Sequence, residues 1–520
     1  MPRGRQFAIT WSIPDDYGGM TAALFARSSA FARLGDADVT VLTFDTRPDT
    51  PELEGRLHDQ GVIADRVRLL NLYDWVRTNE LPGGSLRLDR DVFTPLGDGE
   101  ATEESRRGER VVARVRRDAA GRLLQIDHLR DDGTLVLSDR RDARERGVPG
   151  GRSIVLCDAD GRPVRSWRRS WPLYTAWLDA LVDRQPSFMI VDSKTIAPFM
   201  LTYRRPHVIT AHVVHASHRA APGSSHPVRS TRRAVFEHLD DFDLVAVLSR
   251  RQAAEVVDLV GPLDHLVVIP NAKPATDRGR LARSGSRPPR EAGSGIVLAS
   301  LTRRKRVADA IAAFSSASRR TTTESIAGSI TRLTLDIYGE GEEREVIEDL
   351  ALRTPGVVLH GFEPDARRHL ERSSFLLLTS RSEGFPLVLV EAMAGGCIPI
   401  AYDIRYGPAD LIRDGRNGFL VPDGDTDALA SAIVALQRLP ARRVEAMRRA
   451  AVRSARAFDE RRVVTTWARH LSEAQARREL RRSHRWRRLR MALQKAPFGA
   501  RLRRIVVRAR SVTNRFGGAH

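Results

Sequence analysis

The chain has 520 residues, 42% of them hydrophobic and 29% charged, enough to bury the cores of two or three domains without disulfide support. Cys157 and Cys397 are its only cysteines, no apolar run nears the roughly 18 residues of a spanning helix, and Pro14, Asp15 and Asp16 end the short apolar N-terminal stretch; a disulfide scaffold, an integral membrane protein and a signal peptide are not expected. Of the net charge of +20, residues 471–520 hold thirteen, with fifteen Lys/Arg against two Glu, so the globular part is only mildly basic and specific nucleic-acid recognition is not expected of it.

In chain order, an apolar run from Phe7 predicts a strand, Asp15 to Gly19 a turn, residues 21–34 a helix and residues 39–44 a second strand. This is a βαβ opening that places Gly18 and Gly19 where strand becomes helix. Between residues 108 and 167 the period changes to two: runs at 111–115, 123–129, 134–137, 153–156 and 163–167 are punctuated by Asp-Gly turns, which predicts an antiparallel meander. Asp158-Ala-Asp160 runs straight into Gly161 between two of these strands and reads as a hairpin turn. The α/β rhythm resumes with a helix at 171–182 and short β-rich runs at 187–191, 207–211 and 244–248. Residues 272–295 are Arg, Pro, Ser and Gly without period, a linker. A second α/β series then follows, with strands at 295–299, 333–338, 357–359, 375–379, 398–401 and 418–421.

The expected organisation is a Rossmann-like acceptor domain over 1–275 with an antiparallel β insertion at 100–170, a linker at 276–294, and a Rossmann-like nucleotide domain over 295–455. A C-terminal helix at 456–478 packs back, and a basic tail fills 479–520. Two doubly wound domains leave a ligand cleft where the carboxyl ends of their strands meet.

The segment from Thr379 to Pro399 carries the chemistry. Glu383 and Glu391 lie eight residues apart across a helix start, with Gly384, Phe385, Pro386 and Leu387 between them. That spacing lets both carboxylates line one face, and the bare helix N-terminus offers N–H groups to a diphosphate. The pattern resembles the Glu-x7-Glu signature of the family four retaining glycosyltransferases, enzymes of the GT-B fold. The resemblance implies an α/β protein of two Rossmann-like domains in which Glu383 contacts the donor sugar, Glu391 the ribose, and the backbone of 384–387 the phosphates. It also implies a UDP-linked nucleotide-sugar donor, retention of anomeric configuration, no cofactor and no metal.

Further residues follow from the same likeness. Lys305 matches the family's cation beside the leaving group, but Ser300 stands where the family has its Arg, and Arg303 is the expected replacement. Gly18 and Gly19 resemble the glycine loop that approaches the donor phosphates. Of His212 and His215, the first is the expected cleft histidine, with His215 on the acceptor side; no third ligand is spaced to make them a metal site. Tyr338 and Gly339 are expected to border the nucleotide base. The run from Ala401 to Gly418, with the β insertion, resembles the poly(glycerol phosphate) and poly(ribitol phosphate) α-glycosyltransferases of wall teichoic acid, which implies a polyanionic acceptor and makes Arg405 a candidate phosphodiester contact. A lipid-linked or capsular saccharide as acceptor, and an inactive GT-B-shaped scaffold binding polyanions or membranes, are the alternatives.

In the tail, Leu480, Trp486, Leu489 and Leu493 recur at helical spacing among arginines, Pro497 to Gly499 interrupt, and Leu502, Ile505, Val506 and Ala509 begin again. A basic amphipathic pair of helices suits the anionic inner face of the plasma membrane, at about 1 kcal/mol per cation near the surface, and implies a cytoplasmic, peripheral protein. A solvated tail is the competing reading. An exposed edge of the meander offers a route to a homo-oligomer.

Overall fold

The computed structural model describes residues 1–81, 86, 93–97, 99–220, 225–273, 290–323 and 332–495. Most of the expected linker and the tail beyond Lys495, including Pro497 and the second apolar run, lie outside the described residues.

Chain order begins with three strands, β1 (Arg5–Ile9), β2 (Val39–Thr43) and β3 (Val67–Asn71). The insertion supplies β4 (Glu103–Arg107), β5 (Arg110–Arg117), β6 (Leu123–Leu129), β7 (Leu135–Arg140), β8 (Ser153–Cys157) and β9 (Pro163–Trp167). The first domain is completed by β10 (Ser187–Val191), β11 (Val208–Val214), β12 (Leu244–Val247) and β13 (Leu266–Val268), which pair in the order β13-β12-β11-β10-β1-β2-β3. The second holds β14 (Ser294–Leu298), β15 (Thr334–Tyr338), β16 (Val357–Gly361), β17 (Phe375–Leu378), β18 (Ile398–Tyr402) and β19 (Phe419–Val421), in the order β16-β15-β14-β17-β18-β19. Both sheets are parallel throughout, whereas β4 to β9 form an antiparallel meander in sequence order. The expected fold class is therefore the observed one: two Rossmann-like sheets and an antiparallel sheet inserted in the first domain.

Parallel strands covered on both faces by helices need unbroken apolar runs. β10 and β11 meet that demand, every residue of each being buried. β4 has no such signature; its Glu-Glu-Ser-Arg-Arg run pairs with β5 at the outer edge of the meander, where charge discourages further pairing, and Arg107 ties it to the Pro48 carbonyl and Asp74. The meander is seated on the first domain. Leu137 and Leu156 share a core with Phe44 and Trp177, and the Tyr73 ring stacks on His128 at 4.0 Å. The Asp158 turn is the expected hairpin, its carboxylate accepting from the Asp160 and Arg162 amides. Cys157 and Cys397 are free and buried.

Each parallel sheet reverses its winding once, between β1 and β10 in the first and between β14 and β17 in the second. At such a point two neighbouring loops diverge and leave a crevice at the carboxyl ends of the strands. The loops after β1, β14 and β17 carry Gly18, Arg303 with Lys305, and Glu383 to Pro386, while His215, Gly339 and Arg405 follow the neighbouring strands β11, β15 and β18.

The last helix, Glu460–Lys495, leaves the second domain and lies along the first. Arg33 pairs with Glu460 at 2.9 Å, Phe31 meets Trp467 edge-on at 6.3 Å, and Arg478 reaches Asp243 and the Arg205 carbonyl. Among the described residues no helix is long and apolar enough to cross a membrane.

Candidate active site

In the second domain the loops after β14 and β17 are locked together by their backbones. The Thr379 hydroxyl donates to the Lys305 carbonyl at 3.0 Å and the Arg381 amide to the Arg304 carbonyl at 2.8 Å. The loop after β15 packs below them: a Cβ on Gly339, whose φ is +153°, would lie 1.8 Å from the Ala299 carbonyl oxygen. Close backbone contact therefore accounts for that glycine.

This scaffold presents Lys305 Nζ to Glu383 Oε1 at 2.6 Å, with Arg304 3.3 Å from the same oxygen. Burial alone would raise the Glu383 pKa, but Lys305 and Arg304 hold it below the ordinary glutamate value. Three residues on, Pro386 opens the helix Leu387–Gly395, which has no side-chain cap and no acidic residue in its first turn. Its free N–H groups and dipole make an anion seat. Glu391, on the same helix, takes the Arg367 guanidinium on Oε2 at 3.0 Å, while its Oε1 is buried with no partner among the described residues. An orphaned buried carboxylate oxygen is a vacancy for a hydroxyl donor.

The first domain answers across the crevice. The helix Gly19–Gly35 also begins without a side-chain cap, at Gly18, and a Cβ on Gly18 or Gly19 would meet nothing within 4 Å. Unlike Gly339, these two glycines leave open space beside the backbone. Burial raises the pKa of the neighbouring Tyr17, against the pull of Arg367 from the second domain. After β10, Asp192 accepts two bonds from Arg27, at 2.8 and 2.6 Å, and meets His215 Nε2 at 2.6 Å. Burial opposes its charge, but Arg27 and then His215 overcome that and draw the Asp192 pKa down to about 2. The His215 carbonyl lies directly against Gly384, where a Cβ would fall 1.6 Å from its oxygen. His215 thus stands at the meeting of the two domains.

Three expected placements are not met. His212 is not in the crevice: strand alternation turns its ring inward, where Nδ1 bonds the Val191 carbonyl at 3.0 Å, the ring stacks on Phe242, and burial pushes its pKa down to about 4. Arg303 does not replace the missing family Arg, because its side chain is 89% exposed and only comes within 4.0 Å of Glu343; the next residue, Arg304, holds the place beside Glu383. Arg405 is committed to Glu255 of the first domain, Nε to Oε1 at 3.3 Å, so it is not a free phosphodiester contact. Tyr338 lies at the end of β15 between the His360 and His369 rings, at 4.5 and 4.9 Å. Arg304, Arg367, Asp192 and Glu255 escape the sequence reading. Asp192 carried a legible signal, an acid following a buried parallel strand; Arg367 carried none.

Residues 295–438 match the family model described as glycosyl transferases group 1. The chain thus carries a group 1 glycosyltransferase domain. It is 21% identical to the poly(glycerol-phosphate) alpha-glucosyltransferase of Bacillus subtilis, over 83% of this chain and 70% of that protein. To the poly(ribitol-phosphate) alpha-N-acetylglucosaminyltransferase of Staphylococcus aureus it is 22% identical, over 83% of this chain and 92% of that one. The crystal structure of S. aureus TarM in complex with fondaparinux, alpha-GlcNAc-glycerol and UDP superposes with a TM-score of 0.67 at 17% identity, covering 90% of this chain and all of that one. At that identity the superposition speaks for the fold. Among the described residues no group of three or more His, Cys, Asp or Glu could hold a metal ion.

Proposed function

We propose that this glycosyltransferase moves a hexose from a UDP-linked donor, with retention of configuration, onto a polyol-phosphate or related cell-envelope glycopolymer. The observation that carries the reading is the buried Glu383–Lys305 pair at the point where the second sheet reverses, beside an uncapped helix start. In this reading the donor's diphosphate lies between the Leu387–Gly395 and Gly19–Gly35 N-termini, a ribose hydroxyl donates to Glu391 Oε1, and Glu383 accepts from the sugar hydroxyls. Lys305 and Arg304 would neutralise the departing diphosphate, so positive charge is supplied by side chains and helix ends without a divalent cation.

In the reaction, the bond from the anomeric carbon to the diphosphate oxygen breaks and a bond to the acceptor hydroxyl oxygen forms on the same face. The leaving phosphate oxygen takes the hydroxyl proton. The acceptor class is supported by the two relatives named for poly(glycerol-phosphate) and poly(ribitol-phosphate) and by the meander. The basic tail from residue 479 suits an anionic membrane surface on which such an acceptor would be met.

The test has two arms. UDP-sugars should raise the unfolding temperature where GDP- and ADP-sugars do not, since a ligand of the native state stabilises it by mass action. Lys305→Ala and Glu383→Ala should each lower turnover by well over tenfold; near-normal rates in both variants refute the site.

A further inference from the structure

Glu255 lies on the first-domain helix Arg250–Val260, outside every motif considered above. Its carboxylate nevertheless gathers groups from both domains. Oε2 accepts from the Tyr406 hydroxyl at 2.6 Å and from Arg219 Nε at 2.9 Å, while Oε1 stands 3.3 Å from Arg405 Nε and 3.9 Å from Arg251 Nε. Tyr406 is fully buried, and the ring of first-domain His218 lies nearly parallel to it, 6.0 Å away.

The second half of the connection is backbone. The Glu383 amide donates to the Arg405 carbonyl at 3.1 Å, and the Tyr406 amide donates to the Glu383 carbonyl at 2.9 Å. Residues 405 and 406 therefore clamp the candidate catalytic residue from both sides of its peptide unit. Gly407, with φ +106°, lets the chain turn against Pro386, whose Cδ would lie 2.3 Å from a Cβ there. On the same helix, the Arg250 amide bonds Asp410 at 3.1 Å and Arg251 reaches Asp403 at 3.2 Å. The first domain thus grips the 403–410 segment at both ends, with Glu255 in the middle.

We propose that Glu255 is a positioning residue: by holding Tyr406 and Arg405 from the first domain, it fixes the backbone of Glu383 and makes that carboxylate's geometry depend on the two domains being docked. The charge and bond pattern suits this task. One carboxylate on a first-domain helix holds the Tyr406 hydroxyl and the Arg405 guanidinium of the second domain at once, so displacement of the first domain loosens both together. The proposal rests on the reading of Glu383 as a donor-sugar contact, and the experiment separates the two.

Glu255→Gln keeps the shape and removes the charge; Tyr406→Phe removes only the hydroxyl. Each should lower kcat about tenfold while the donor KM stays within about twofold and the unfolding temperature within about 2 °C. Because both variants act on the same Tyr406–Glu255 contact, the double variant should be no slower than the slower single. Placed in a Glu383→Gln background, Glu255→Gln should change the remaining kcat by less than about twofold. Unchanged kcat in both single variants overturns the proposal, and so does a tenfold loss that persists in full on top of Glu383→Gln. A Glu383→Gln enzyme at wild-type rate would instead overturn the reading of Glu383 itself.

Discussion

Replacing Gly384 with Ala tests the meeting of the domains with a single methyl group. No positive φ is involved at this position, so alanine carries no conformational penalty and the effect is steric. Its Cβ would lie 1.6 Å from the His215 carbonyl oxygen and 2.5 Å from the carbonyl carbon, both backbone atoms that no rotamer change can move. Real Cβ contacts essentially never fall below 3.0 Å, so the two backbones have to separate by about 1.4 Å. A separation of that size stretches the 2.6 Å Tyr406–Glu255 bond past hydrogen-bond range. It also displaces the peptide next to Glu383 from the acceptor side of the crevice. Misplacement by an ångström costs about a hundredfold in a well-oriented reaction. The assay is the initial rate of sugar transfer at saturating donor, with thermal unfolding measured alongside. The expected result is a kcat down about a hundredfold, with the unfolding temperature lowered by only a few degrees because each domain keeps its own core. A kcat within about threefold of wild type would show that the domains do not need this contact, and the argument would fail.

Gly18→Ala makes the opposite comparison: the open space beside Gly18 predicts an unchanged unfolding temperature but donor binding weakened about tenfold, read by calorimetry. Arg303→Ala should keep its rate within about twofold, whereas Arg304→Ala should lose about tenfold, which initial rates distinguish. His212 and His218 both have pKa values pushed down to about 4, first by burial. Their depression below the ordinary 6.5 means that the unfolded chain takes up the protons first, so stability is complete above about pH 6.5 and falls as pH drops toward 4. At pH 5 each imidazole is expected to cost roughly 2 kcal/mol. Neither ring nitrogen of His218 has a partner among the described residues, so His218→Phe should stabilise the protein at pH 7 and remove about half of the acid loss, seen by denaturant unfolding at pH 7 and pH 5.

The alternation of apolar runs with helical text reveals two parallel sheets and all six strands of the second, because buried parallel strands are compositionally obvious; β3 and β13, at the two edges of the first sheet, are missed, and the strand order comes from the structure alone. The charged strand β4 was not legible, since an edge strand can be specified by its neighbour's backbone. The same division runs through the site. Glu383, Glu391 and Lys305 stand out in the sequence because they match a family signature, and the structure brings Glu383 and Lys305 together. Choosing His212 over His215 failed because the side of a strand on which a residue falls depends on sheet register, which places His212 beside Val191 and turns its ring away from the crevice. Arg303 and Arg304 differ by one position in a loop, and only the bond from the Arg381 amide to the Arg304 carbonyl decides which guanidinium reaches Glu383. Contacts assembled from distant segments, such as Glu255 with Tyr406 or Arg367 with Glu391, have no local pattern at all.

The chain passes between its halves twice, once ahead of β14 and once at the start of the last helix, and the Lys273 amide fastens these passages together by donating to the Phe458 carbonyl at 2.9 Å. The start of the last helix is thus held to the first domain by a backbone bond as well as by the Arg33–Glu460 pair, so the two halves are fastened there by more than chain connectivity.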